Sequence, residues 1–199
     1  MNQKKISVIW ILSQNSGTPK LGGVQRHYFF AKELKKNNVD TTIISCQKNH
    51  LYIIKPDKGL GKIDGVNFLQ LFTFFSFSKG IFRFLQMFEF AVRIFFLPLY
   101  KLKKPDVIIL SSMSIFPLPA ALFLKKFYGV KFIFELRDLW PLTPIHLKGV
   151  SKNNLLIKLM FYLEKLALKK ADYIISTLEE SRSYIDSISN RPKTTFLHY

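Results

Sequence analysis

Residues 131–144, KFIFELRDLWPLTP, end a short apolar run in three charges, Glu135, Arg137 and Asp138, followed by Trp140 and Pro141. A carboxylate beside a guanidinium keeps a low pKa, and an ionised carboxylate can hold a sugar hydroxyl or accept its proton. Trp140 offers an apolar platform for a sugar ring. If Phe132 to Phe134 is a strand of an open α/β sheet, the charges fall at its carboxyl end, where such sheets bind ligands. The same residues also fit a surface Asp–Arg pair with a Trp-Pro turn closing the core.

A second group lies near the start of the chain. Gly22-Gly23 opens a helical stretch in which Arg26 and His27 occupy the first turn. Glycines permit close backbone approach, and helix N-termini favour anions, so a phosphate or sugar is the expected ligand. The spacing is not G-x-G-x-x-G, and an ordinary glycine turn fits equally well. Ser111, Ser112 and Ser114 follow another apolar run and could line the same cleft. Asp172 carries no assigned chemistry; nor do Glu179 and Glu180, which suit a helix N-terminus electrostatically. The four histidines show no ligand spacing and Cys46 is the only cysteine, so no metal site and no intrachain disulfide are expected.

Positioning these groups requires a sheet. Ser7–Ser13, Thr41–Cys46, Val107–Leu110, Lys131–Phe134, Tyr173–Thr177 and Thr194–Leu197 read as strands. Val24–Lys36, Pro119–Tyr128, Asn153–Lys170 and Glu179–Ile188 read as helices between them. Alternation of helices with wholly apolar strands predicts a doubly wound parallel sheet with right-handed crossovers. Residues 1–199 are expected to form one such domain, and a chain that is 48% hydrophobic is not disordered.

Residues 68–102 are unusual, holding 11 of the 20 phenylalanines. Within Gly80–Leu102, Arg83, Gln86, Glu89 and Arg93 form one polar stripe on an otherwise apolar helix. Charges at the bilayer centre cost roughly 2.5–3.5 kcal/mol each, which argues against a membrane span. Two arrangements fit: a helix packed in the core, or one lying on a membrane with Lys79, Lys101, Lys103 and Lys104 near lipid phosphates. The net charge of +17 suits an anionic partner, although a lysine-rich composition alone could account for it. The basic residues are scattered and only 6 are Arg, with no zinc-knuckle or helix-turn-helix pattern, so nucleic acid is not the expected partner.

Four segments, GGVQRHYFFAKELKKN (22–37), PDVIILSS (105–112), KFIFELRDLWPLTP (131–144) and LEKLALKKADYIISTLEE (163–180), together resemble the N-terminal domain of a family 4 glycosyltransferase of the GT-B type. The similarity is to WbuB-like bacterial enzymes of surface polysaccharide synthesis. It implies a Rossmann-like acceptor-side half that transfers a hexosyl group, with retention of configuration, from a nucleotide-sugar donor to a lipid-linked or saccharide acceptor. The donor is a substrate; no cofactor or metal is implied. Gly22, Gly23, Arg26 and His27 would lie near donor phosphates or acceptor, with Ser111, Ser112 and Trp140 in the same cleft. Glu135, Arg137 and Asp138 would face the transferred sugar.

The family's donor-binding Glu-x7-Glu motif is missing, since the glutamates at 33, 89, 135, 164, 179 and 180 include no pair eight apart. The expectation is therefore an acceptor half without its C-terminal nucleotide-sugar domain, as either a truncated gene product or one subunit of a split enzyme that works with a separate donor-domain subunit. A cytoplasmic location is expected, with peripheral attachment to the inner face of the plasma membrane as a further option. The alternative is a catalytically inactive fragment or adaptor that binds a partner or a membrane surface.

Overall fold

The computed structural model describes residues 5–75, 81–112, 114–139, 141–177, 181–189 and 196–198. Trp140, Lys79, Glu179, Glu180 and the first two residues of the last expected strand lie outside them, as does the side chain of Arg83.

The chain runs β1 (Val8–Leu12), α1 (Arg26–Lys36), β2 (Asp40–Cys46), β3 (Gly59–Ile63), β4 (Val66–Leu71), α2 (Ile81–Phe95), a 3-10 turn (Leu97–Leu99), β5 (Val107–Ser111), α3 (Leu118–Tyr128) and β6 (Lys131–Leu136). It continues through α4 (Leu142–Lys148), α5 (Leu155–Lys170), β7 (Tyr173–Ser176), α6 (Ser181–Ser189) and β8 (Phe196–His198). The strands form one sheet in the order β3-β4-β2-β1-β5-β6-β7-β8. All pairings are parallel except the β3–β4 hairpin at the edge. The doubly wound α/β expectation therefore holds, with three additions: the β3–β4 hairpin, the short helix α4 after Pro141, and an extension of β6 by two residues that brings Glu135 inside the strand.

The central strands are apolar on both sides because both sides are covered. On one side α1 packs Tyr28 and Ala31 over Ile9, Ile11, Ile43, Phe68 and Ile109. On the other, α2, α3, α5 and α6 enclose the larger cluster, including Trp10, Ile44, Leu69, Phe90, Leu110, Phe132, Phe134, Met160 and Ile185. Full burial of side chains of this size contributes about 1.5–3 kcal/mol each. Local signals set the helix ends. The Asn154 side chain accepts a hydrogen bond from the Leu156 amide at 2.9 Å and starts α5, while Gly129 ends α3 in the left-handed conformation. At the amino edge, Asp106 accepts from the Ser7 and Val8 amides, and Asp172 from the Phe132 amide. Both acids thus tie strand starts together, well away from the carboxyl edge. Among the described residues, no helix is long and apolar enough to cross a membrane.

Candidate functional site

Strand register decides which side chains meet at the carboxyl edge. Ile11 pairs with Ile43 and Ile109, Ser45 with Gln70, and Ser111 with Glu135. Side chains alternate along a strand, so two residues beyond the apolar layer beneath α1 comes a buried polar layer containing Gln70, Ser45, Ser111 and Glu135. The first turn of α1 sits over this layer.

Glu135, only 4% exposed, is the centre of the arrangement. Its Oε1 lies 3.2 Å from the Arg26 guanidinium, and its Oε2 lies 2.7 Å from His27 Nε2. His27 Nδ1 is 2.7 Å from Ser16 Oγ. An ionised carboxylate can only accept, so Nε2 is the donor toward Glu135. Burial opposes ionisation of Glu135. The His27 hydrogen bond and charge, then Arg26 and Ser111, outweigh it and bring the carboxyl down to about 2. Glu135 is thus a fixed anion with both oxygens occupied, suited to orienting His27 and Arg26 rather than to exchanging protons near neutrality. His27 is also buried, whereas the Arg26 side chain keeps 27% of its surface in solvent.

The glycines lie in the preceding loop, and the structure shows a packing reason for both. Each has φ +80°. A Cβ on Gly22 would stand 2.6 Å from the Leu51 carbonyl oxygen, and one on Gly23 would stand 2.9 Å from the Tyr52 ring. The Gly22 amide donates to Thr18 O and the Gly23 amide to Leu51 O, both at 2.9 Å. These amides are spent inside the loop. The loop's contribution to the site is to set the position of Ser16 and the start of α1.

Ser112 joins β5 to the segment after β6. Its amide donates to the Glu135 carbonyl at 2.9 Å, and its Oγ accepts from the Arg137 amide at 2.9 Å. Arg137 is half-buried and Asp138 is exposed, and neither lines the cavity beside Glu135. Among the described residues, six buried polar side-chain atoms without a hydrogen-bond partner also lie toward this edge, on Ser13, Gln14, Asn49, Gln70, Thr73 and Ser114. Unsatisfied groups are expensive in a core and concentrate where a fold serves a ligand. Beside Glu135, between α1 and the β5–β6–β7 surface, lies a cavity of about 490 Å³ lined by Arg26, His27, Phe30, Ile109, Ile175 and Thr177 among others. An apolar cavity with a few convergent charged groups is the usual form of a small-molecule site. Sequence reasoning picked out Arg26, His27 and Glu135 but placed them in two separate groups. It missed Ser16 and Thr177, which carry no motif.

The fold defines a class first: a Rossmann-like α/β domain with the fold of one half of a GT-B structure. No protein-family model matches the sequence, and no curated protein does. Among solved structures, the domain is similar to sucrose-phosphate synthase from Thermosynechococcus elongatus, with a TM-score of 0.69 and 12% identity over 96% of this chain and 48% of that one. It is also similar to Arabidopsis thaliana UGT89C1 complexed with UDP-L-rhamnose, with a TM-score of 0.53 and 13% identity over 94% of this chain and 49% of that one. The chain spans about half the length of these structures.

Proposed function

We propose that this chain is the acceptor-side half of a glycosyltransferase that moves a hexosyl group from a nucleotide-sugar donor to a lipid-linked or saccharide acceptor in bacterial surface polysaccharide synthesis. The observation that carries the reading is the buried Arg26–Glu135–His27 cluster, set at the carboxyl edge of a GT-B-type half beside an apolar cavity. The UDP and UDP-sugar complexes among the structural neighbours support a nucleotide-sugar donor. The resemblance of residues 22–37 and 131–144 to family 4 supports the polysaccharide role and transfer with retention.

In this reading the residues divide the work. Glu135 and His27 are positioning residues. They hold Arg26 with its charge toward the cleft, where a guanidinium can pair with a phosphate oxygen of donor or acceptor. Ser112 fixes the backbone at Arg137, and exposed Asp138 accepts a hydrogen bond from a sugar hydroxyl. The Glu-x7-Glu donor site would be supplied by a C-terminal half or a separate subunit.

The test joins this chain to a donor-binding half, by coexpression or fusion, and measures transfer of radiolabelled sugar from nucleotide sugar into a lipid extract. Arg26→Ala and Asp138→Asn should each lower transfer at least about tenfold, the loss of one charged contact in the transition state, with the urea midpoint unchanged for exposed Asp138→Asn and lowered for Arg26→Ala, which takes a cation from buried Glu135. Wild-type rates in both variants would remove these residues from the site. A wild-type assembly that binds nucleotide sugar yet transfers nothing would favour the inactive adaptor.

A further inference from the structure

Three residues of the polar stripe of α2, Gln86, Glu89 and Arg93, are turned inward. Gln86 is buried and its Nε2 donates to the Lys48 carbonyl at 2.6 Å. The Glu89 carboxylate accepts from the Phe74 amide at 2.9 Å and pairs with Arg93. The Arg93 guanidinium lies over the Phe72 and Phe74 rings, 5.3 and 5.8 Å from their centroids. What α2 presents to solvent is its other side: the exposed residues from Leu85 to Phe96 are Leu85, Phe88, Val92, Phe95 and Phe96, all apolar. Leu99 continues this stripe at 79% exposure, and Phe123 and Phe127 extend it onto α3. A ring contact joins the two helices, Phe95 to Phe123 at 5.6 Å, and Phe123 stacks on Phe127 along α3 at 5.8 Å. A contiguous aromatic surface of this kind marks an interaction face.

We propose that this α2–α3 face seats the protein on an anionic lipid bilayer, with its phenylalanines and leucines entering the headgroup boundary and Lys101, Lys104 and Lys126 meeting lipid phosphates. The charge pattern selects this occupant. Between residues 90 and 134 the only acid is Asp106, which is bonded to the Ser7 and Val8 amides, against seven Lys and Arg. Lys103 and Lys125 are engaged by Asp40 and Asp172. Lys101, Lys104 and Lys126 are exposed and take part in none of the ion pairs among the described residues. A symmetric pairing of two copies would bring the same stretch, with its excess of lysine, against itself, which like charges oppose. An apolar face rimmed by lysine is what an interfacial amphipathic surface requires. The upper end of the face, where Phe88 meets Phe116 at 4.4 Å, lies just beyond the carboxyl end of β5, the same edge of the sheet as Glu135. The proposal stands whether or not the transfer reading does.

Cosedimentation with vesicles tests it, using phosphatidylcholine alone and phosphatidylcholine mixed with phosphatidylglycerol. The wild-type chain should partition onto the mixed vesicles and much less onto the neutral ones, and high salt should weaken the difference. Phe96→Ser with Phe127→Ser should lower partitioning at least about tenfold. Lys101→Gln and Lys126→Gln should each lower it about fivefold on anionic vesicles only. All of these side chains are exposed, so circular dichroism and the thermal midpoint should match the wild type. Unchanged partitioning in both sets overturns the proposal. So does a self-associated species, seen by sedimentation velocity, that the phenylalanine variants dissolve while vesicles bind nothing; the face would then join two copies.

Discussion

Two buried glutamates on opposite sides of the sheet show how environment divides one residue type into two roles. Glu135, under α1, is 4% exposed and sits between a guanidinium and an imidazole. Glu164, on α5, is 2% exposed and receives a hydrogen bond from the Tyr184 hydroxyl on α6. Burial disfavours the charge in both. With cations beside it, Glu135 stays ionised and its carboxyl falls to about 2. Glu164 has a neutral partner, and burial, partly offset by the tyrosine hydrogen bond, pushes it up to about 7. The α1 side therefore keeps a permanent buried charge, whereas the α5–α6 side keeps a neutral acid over much of the acidic range. Buried ion pairs seldom stabilise more than apolar packing of similar volume, so a fixed charge at the carboxyl edge is better explained by ligand binding than by folding.

The sharpest way to break this comparison is to remove each acid. Glu135→Ala leaves Arg26 and His27 without their anion and should cost about 3–5 kcal/mol in urea unfolding near neutral pH. Glu164→Gln retains a neutral hydrogen-bonding group and, since it never has to ionise in the core, should cost nothing near neutral pH. Equal losses would mean that the two sites do not differ as described.

The next largest effect is in the pH dependence of stability. For Glu135 the folded value of about 2 lies below the ordinary 4.5. Its contribution is present above pH 4.5 and is lost as pH falls toward 2, about 3 kcal/mol in all. Glu164 has the opposite sign. Its folded value of about 7 lies above 4.5, so its contribution is complete below pH 4.5 and is lost as pH rises through 7, again about 3 kcal/mol. Stability should therefore pass through a maximum near the ordinary carboxyl range. Glu164→Gln should flatten the alkaline limb only and make the variant more stable than wild type at pH 8. A variant that keeps the wild-type slope between pH 4.5 and 7 would show that Glu164 is not its source.

The smallest effect tests the loop that holds Ser16 and α1. Gly23→Ala must place a Cβ 2.9 Å from the Tyr52 ring at φ +80°, a strain of about 1–3 kcal/mol. The loss should appear in the thermal midpoint. An unchanged midpoint would mean that the loop relaxes without strain.

Much of this was legible in the sequence. β1, β5, β6 and β7 are built on continuous apolar runs, as buried parallel strands are, and β2, DTTIISC, reads as a strand from its β-branched residues. β3 was not legible, because GLGKI is an exposed edge strand with two glycines and little apolar content. β4 was hidden at the start of the Phe-rich block, although Asp64-Gly65 is a good hairpin turn. Glu135 and the Arg26-His27 pair were each visible, but their contact spans 108 residues and depends on register rather than on local pattern. The orientation of α2 could not be read at all. Periodicity identifies a stripe, not the direction it faces, and the inward turn depends on backbone partners at Lys48 and Phe74 from other segments.

The strand order also has a consequence for synthesis. β1 lies in the middle of the sheet, and its two neighbours, β2 and β5, are separated by the whole hairpin and the Phe-rich helix. As the chain leaves the ribosome, one edge of β1 is covered once Asp40–Cys46 appears, but the other stays open until Val107–Ser111 follows. At about 5–20 residues per second that gap lasts several seconds. During it an unpaired central strand and an unpacked run of phenylalanines are exposed together. Nascent chains stalled just before Val107 should therefore be protease-sensitive and bind chaperones, and extension through Leu136 should end both.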